Sequence, residues 1–305
     1  MDSYKGQVKL LLDVLPIVAK EHSFALHGGT AINLFVRNMP RLSVDIDLTY
    51  INIEEREVTF QKINEGLQRI KSGIESVIQD VKIHHQKDVA KLLISTSSAS
   101  IKIEVNTVGR GLLGEPIKLQ LCDVAQKEFD VFVAIDIVPI GQLYGGKICA
   151  ALDRQHPRDL FDVKHLLDNE GFSAEVKKGF ILSLAGSSRP IHELIVPNLL
   201  DQRNVMKNHF DGMSKDAFTY EEFEATRNRL ISTISQNLLE SDKEFILSLE
   251  SGEPKWGVYD FEKFPAVRWK LQNLQKIISG DPEKHRSQIL ALEKKLFKYR
   301  FLSFF

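Results

Sequence analysis

HGGTAINLFVRNMPRLSVDIDL, residues 27–48, is the stretch on which the reading of this chain turns. A glycine pair opens a segment that reads as a helix from Thr30 to Arg37. Beyond it, Leu42 to Tyr50 alternates with period two. Leu42, Val44, Ile46 and Leu48 fall on one face and Ser43, Asp45, Asp47 and Thr49 on the other. Asp45 and Asp47 therefore project from the same side of a strand, together with Ser43. Two carboxylates that close repel, and one takes up a proton unless a cation neutralises the pair. A divalent metal is the usual solution, and Mg²⁺ prefers a few carboxylates plus phosphate oxygens. Gly28-Gly29-Thr30 supplies the complementary half, because glycines let the backbone approach a ligand and a helix N-terminus offers free N–H groups to phosphate. Metal and phosphate sites side by side suggest a nucleoside triphosphate (NTP) held for in-line attack.

A third carboxylate would complete such a site. In Ile101-Lys102-Ile103-Glu104, Glu104 is the acidic residue on the polar face of an expected neighbouring strand. It either binds metal, or takes a proton from an incoming hydroxyl, or simply faces solvent.

Around this centre the pattern is α/β. Val8–Lys20 has helical spacing, kinked or restarted at Pro16. Phe24–His27 reads as a strand and Glu54–Val81 as a long amphipathic helix carrying Val58, Ile63, Leu67, Ile70 and Ile74. Strands are expected near 90–97, 100–107, 117–123 and 130–136, then helices over 140–154 and 157–168. After Asn169-Glu170-Gly171 only helical segments follow, separated by Pro, Gly and Ser-Asp signals. The expected organisation is an α/β domain over 1–170 and an all-helical domain over 171–305.

The bulk numbers set limits. A chain of 305 residues that is 43% hydrophobic and 27% charged, with formal net charge −1, has no general attraction for nucleic acid or membranes. Any charged surface must be local. Two cysteines without a C-x-x-C spacing argue for a reducing compartment, and the apolar N-terminal run is too short to span a bilayer. A cytoplasmic protein is expected. Gly109-Arg110-Gly111-Leu112-Leu113-Gly114 fits G-x-G-x-x-G, yet Glu115-Pro116 follows where a dinucleotide site needs a helix.

The glycine pair, short helix and D-x-D strand resemble the signature of the DNA polymerase β-type nucleotidyltransferase superfamily. The fuller run G-G-T-A…R-L-S-V-D-I-D-L is similar to the AbiEii/AbiGii toxin family, which includes the mycobacterial MenT toxins. A second block agrees: Gly146-Lys147-Ile148-Cys149-Ala150-Ala151-Leu152-Asp153-Arg154, then Pro157-Arg158-Asp159-Leu160-Phe161-Asp162. It resembles that family's G-K-x-x-A-L-x-x-R…R-D-x-x-D.

The resemblance implies a mixed sheet with helices followed by a helical half, and a role for each matching residue. Asp45 and Asp47 would hold Mg²⁺ with Glu104 as third acid. Gly28, Gly29, Thr30 and Ser43 would bind the nucleotide, Ser43 at a position that some relatives modify. Lys147 would hold a phosphate as a point charge, Asp162 would be the downstream catalytic acid, and Arg158 and Asp159 would support it. Pro157 suits a helix's first position, which puts Arg158 and Asp162 four apart on one face. The implied function is nucleotidyl transfer from an NTP to a hydroxyl, a tRNA 3′ end first and a protein hydroxyl next, by a toxin with a cognate antitoxin. The rival is a non-catalytic nucleotide- or partner-binding module of the same fold. From Ala266 on, nine Lys/Arg face three Asp/Glu, interleaved with aromatics. Lys294, Lys295, Lys298 and Arg300 are the candidate RNA-binding cations, or else the exposed side of an amphipathic helix whose Leu296 and Phe297 pack inward.

Overall fold

Seven strands form the sheet around which the first half of the chain is built, in a computed structural model that describes residues 2–297. Contacts divide the chain into two compact units. One comprises Met1–Pro139 with Asn208–Phe218, the other Ile140–Lys207 with the described residues from Thr219 on.

In the first unit the strands are β1 (Phe24–His27), β2 (Asp45–Tyr50), β3 (Lys82–Gln86), β4 (Lys91–Ser95), β5 (Ser100–Asn106), β6 (Ile117–Gln120) and β7 (Ala134–Ile137). Their order is β3-β4-β5-β2-β1-β7-β6. The pairs β1–β7 and β2–β5 are parallel and the others antiparallel, so the sheet is mixed. Helices α1 (Asp2–Val18) and α3 (Arg56–Val77) pack on it. Ile63, Leu67, Ile70 and Ile74 recur at four, three and four residues and are buried, as the amphipathic pattern requires. Val58 is exposed: it lies off that stripe. Pro16 sits in the last turn of α1, which ends two residues later.

Three departures from the sequence pattern have simple causes. β3 (Lys-Ile-His-His-Gln) carries almost no apolar alternation, and its existence rests on pairing with β4 from Lys82↔Ser95 to Gln86↔Lys91. The segment after the glycines forms α2 (Gly28–Ala31), which continues as a π-helical turn over Ile32–Val36. α4 (Asp123–Phe129) fills a stretch expected to connect two strands, and β7 starts correspondingly late.

The second unit holds α5 (Ile140–Arg154), α6 (Pro157–Asn169), α7 (Ala174–Ala185), α8 (Ile191–Ile195), α10 (Tyr220–Asn237), α11 (Glu240–Glu250), α12 (Pro265–Gly280) and α13 (Pro282–Leu296); α9 (Arg203–His209) runs up to the segment that returns to the first unit. Caps mark the starts: Ser173 accepts from the Val176 amide, and Thr219 with Glu222 makes a capping box.

The contact division at Pro139 precedes the change of texture near residue 170. Its cause is the joint between α5 and α7, where backbones touch through glycines. A Cβ on Gly179 would lie 1.9 Å from the Gly141 carbonyl oxygen, and one on Gly145 would lie 2.1 Å from the Gly179 carbonyl carbon. α5 thus belongs with the helices that follow it. Alanine is intrinsically the better helix former, yet Gly179→Ala is expected to cost about 2–4 kcal/mol by forcing the two backbones apart. Thermal melting reads this; an unchanged or higher Tm would mean the helices can separate freely.

Asn208–Phe218 returns from the second half to the first unit. The Leu42 amide donates to the Met213 carbonyl at 2.7 Å, the Ser214 hydroxyl donates to the Pro40 carbonyl at 3.2 Å, and Arg41 bridges Ser214. Phe210, Met213 and Phe218 are buried beneath this clasp. It holds the chain immediately ahead of Ser43 and Asp45.

Candidate functional site

β1 and β2 are antiparallel with His27 opposite Asp47. The chain leaves β1 at Gly28 with φ +72°, and a Cβ there would lie 2.3 Å from Asp47 Oδ2. Glycine satisfies both demands: the left-handed turn and the space occupied by the carboxylate. At Gly29 a Cβ would lie 2.8 Å from Arg41 Nη2 and 3.2 Å from Ser43 Oγ. Thr30, buried, has its hydroxyl 2.9 Å from that of Ser43 and also bonds the Asp45 main-chain oxygen. The glycine turn and the acidic strand are therefore interlocked residue by residue. Ser43 lies just before β2 and is buried, so the exposed alternation starts at Asp45 and not at Ser43.

β2 and β5 run parallel, with Asp45 opposite Lys102 and Asp47 opposite Glu104. Ile46, Ile103 and Leu48 are buried while Asp45, Asp47, Lys102 and Glu104 share the partly exposed face. The third acid expected from the sequence is thus on the right strand and face. Its carboxylate is engaged by lysines, however: Glu104 Oε2 lies 3.2 Å from Lys91 Nζ and 3.5 Å from Lys102 Nζ. Among the described residues no group of three His, Cys, Asp or Glu is placed to hold a metal ion, so the expected three-carboxylate set is not preassembled. The donor chemistry of Asp45 and Asp47, two hard oxygen ligands on one face beside a glycine turn, fits Mg²⁺ in the manner that takes its remaining ligands from substrate phosphates.

The second block folds into a buried ionic cluster. α5 brings Lys147, whose Nζ lies 2.9 Å from Asp159 Oδ1 and 3.1 Å from Asp162 Oδ2, both on α6. Arg154 grips Asp159 with Nε at 2.6 Å from Oδ2 and Nη2 at 3.0 Å from Oδ1. Lys147, Asp159 and Asp162 are buried. Burial pushes the Asp159 carboxyl up, but the Lys147 ammonium and the Arg154 guanidinium outweigh it and hold the group well below the usual carboxylate range. Asp159 and Asp162 do share a helix face, as their spacing implies, but that face is turned inward to Lys147 and is no surface ion pair. Pro157 takes the first helical position, and His156 Nδ1 accepts from the Arg158 amide at 3.1 Å.

Lys295 departs from expectation. Its ammonium donates to the carbonyls of His192 at 2.7 Å and Val196 at 2.9 Å, which closes the C-terminal end of α8. Burial lowers its pKa. Lys294 is exposed, while Leu296 and Phe297 pack inward as the amphipathic reading has it. Lys298 and Arg300 lie outside the described residues.

Three cations near the acidic strand were not singled out from the sequence. Lys102 was readable, two residues before Glu104 and hence on its face. Arg41 stood inside the motif without an assigned role. Lys91 carried no signal, because its meeting with Glu104 depends on the β4–β5 register.

Among the described residues no helix is long and apolar enough to cross a membrane. The family described as nucleotidyl transferase AbiEii toxin, type IV toxin–antitoxin system, matches residues 9–273. Among solved structures the chain is similar to MenT4, a nucleotidyltransferase toxin from Mycobacterium tuberculosis H37Rv, with a TM-score of 0.60 at 12% identity over 86% of this chain and 92% of that one. At that identity the likeness concerns the fold, and it agrees with the mixed sheet and helices described above. No curated protein matches the chain. The family match runs through both motif blocks, from the glycine turn to Asp162: this chain belongs to the AbiEii nucleotidyltransferase toxin family of type IV toxin–antitoxin systems.

Proposed function

We propose that this protein transfers a nucleotidyl group from an NTP to a hydroxyl acceptor with the help of Mg²⁺, as the toxin partner of a cognate antitoxin, and that the acceptor is a tRNA 3′ end. The observation that carries the reaction type is the fit of Gly28 to Asp47, where a Cβ would stand 2.3 Å from the carboxylate oxygen. The glycine turn and the acidic strand are built around each other, the juxtaposition that a phosphate site beside a metal site would use.

In the transfer, the acceptor oxygen forms a bond to the α-phosphorus, the bond to pyrophosphate breaks, and the hydroxyl proton passes to a carboxylate. A metal held by Asp45 and Asp47 would neutralise charge on the phosphates. Gly28 and Gly29 let the turn close on Asp47, Arg41 and Ser43, and their main chain would face the triphosphate. Thr30 and Ser43 keep the turn fixed against the strand, with the Ser43 hydroxyl beside the nucleotide. Asp162 serves as the downstream acid, oriented by Lys147, and Arg158 supports the phosphate side. Glu104, beside Asp47 in register, is the candidate to accept the proton once its lysines move. The functional nucleotidyltransferase portion then extends over residues 1–170, past the contact division, because it includes α5 and α6.

The RNA acceptor is supported by family resemblance. With Lys295 committed to α8, the C-terminal cations offer it less than the sequence pattern implied. Incubation with each labelled NTP, Mg²⁺ and total RNA, followed by sizing of the product, tests the reading. Label in a tRNA-sized band with one preferred NTP is expected. Label found only on protein would move the acceptor to a protein hydroxyl, and no label with any NTP would leave a binding module.

A further inference from the structure

Lys102 stands beside Asp45 in the parallel β2–β5 register. Its ammonium lies 3.9 Å from Asp45 Oδ2 and 3.5 Å from Glu104 Oε2. Lys91, from β4, approaches the same Glu104 oxygen at 3.2 Å. Ile101 and Ile103 are buried on either side, so the strand period keeps Lys102 on the acidic face whatever rotamer it takes. Asp45, suited to a divalent cation, thus already faces a monovalent one supplied by the neighbouring strand.

We propose that Lys102 is the built-in counter-cation of Asp45. It bridges Asp45 and Glu104 while no divalent ion is bound, and gives up Asp45 to a divalent ion that arrives with a nucleotide. This rests on the reading that Asp45 and Asp47 hold the metal. The consequence is a coupling of metal to nucleotide. A bare divalent ion must sit within a few ångströms of a positive charge, which weakens its binding. One that comes with a triphosphate brings anionic oxygens toward which the released ammonium can turn. Lys102 is in this sense a positioning residue: it acts through Asp45.

The test uses the full chain and Mn²⁺ alone, with free ion measured by electron paramagnetic resonance. Lys102→Met should bind Mn²⁺ roughly tenfold more tightly than wild type, since one unit charge near a doubly charged ion is removed at a partly exposed site. Its Tm without metal should fall and be restored by Mn²⁺. Lys102→Arg, which keeps the charge, should bind as wild type does, and Lys91→Met should change affinity by less than about twofold because that ammonium meets Glu104. A merely structural lysine would not tighten metal binding when removed. If Mn²⁺ binding requires Asp45 and Asp47 but Lys102→Met is no tighter, or if Lys91→Met tightens it equally, the counter-cation assignment is wrong while the metal site stands. If Asp45→Ala/Asp47→Ala binds Mn²⁺ as well as wild type does, the metal reading itself fails and takes this inference with it.

Discussion

Asp45→Ala and Asp47→Ala should each reduce nucleotidyl transfer by about a thousandfold or more, the scale expected when charge stabilisation at a transferring phosphoryl group is removed. Neither should unfold the protein. Both side chains are only partly covered. The change in stability without ligand should stay within about 1 kcal/mol, because exposed ion pairs contribute little. Thermal melts with and without Mg²⁺-NTP separate binding from folding. Wild type should gain several degrees with the ligand and the variants should not, since stabilisation by a ligand scales with its affinity for the native state. A ligand-induced rise that persists in both variants would remove these residues from the metal site.

The opposite balance is expected at Lys147. Its ammonium joins Asp159 and Asp162 in a buried cluster, so Lys147→Met removes a cation that two buried carboxylates share. Breaking such a pair by deleting one partner costs about 3–5 kcal/mol, which approaches the whole stability of many domains. Urea unfolding at neutral pH should show the loss. Lys147→Met combined with Asp162→Leu should recover part of it, because Arg154 then suffices for Asp159.

The pH dependence follows from the same group. The Asp159 carboxyl is depressed in the folded protein relative to about 3.9 in an unfolded chain. Its contribution is therefore complete above the unfolded value and is lost as pH falls from there through the folded value. The difference between wild type and Lys147→Met should shrink as pH falls through the acid range, the wild-type Asp159 share of it below about pH 4. A variant that unfolds at the wild-type urea concentration would show that the cluster adds nothing to the fold, and a loss of transfer in it would then report on phosphate binding alone.

What the sequence by itself determined are the features encoded in local spacing. Alternation placed Asp45 and Asp47 on one face, the α5 and α6 limits emerged within a residue or two, and the two motif blocks specified the family. Periodicity can do this because a strand or helix repeats its own geometry, whatever it packs against. Only the tertiary structure decided what depends on partners far along the chain. β3 exists because β4 lies beside it. Gly28 must be glycine because β1 pairs with β2 in the register that sets Asp47 against it. Glu104 meets Lys91 through the β4–β5 register, and α5 joins the helical unit through backbone contact with Gly179. The charged residues show the limit most sharply. A lysine's spacing says which face it leaves from, and its long side chain can end in water, on a carboxylate or on a helix terminus. Packing decides among these, which is why Lys147 ends on Asp159 and Asp162 and Lys295 on the carbonyls at the end of α8, partners that spacing along the chain does not reveal.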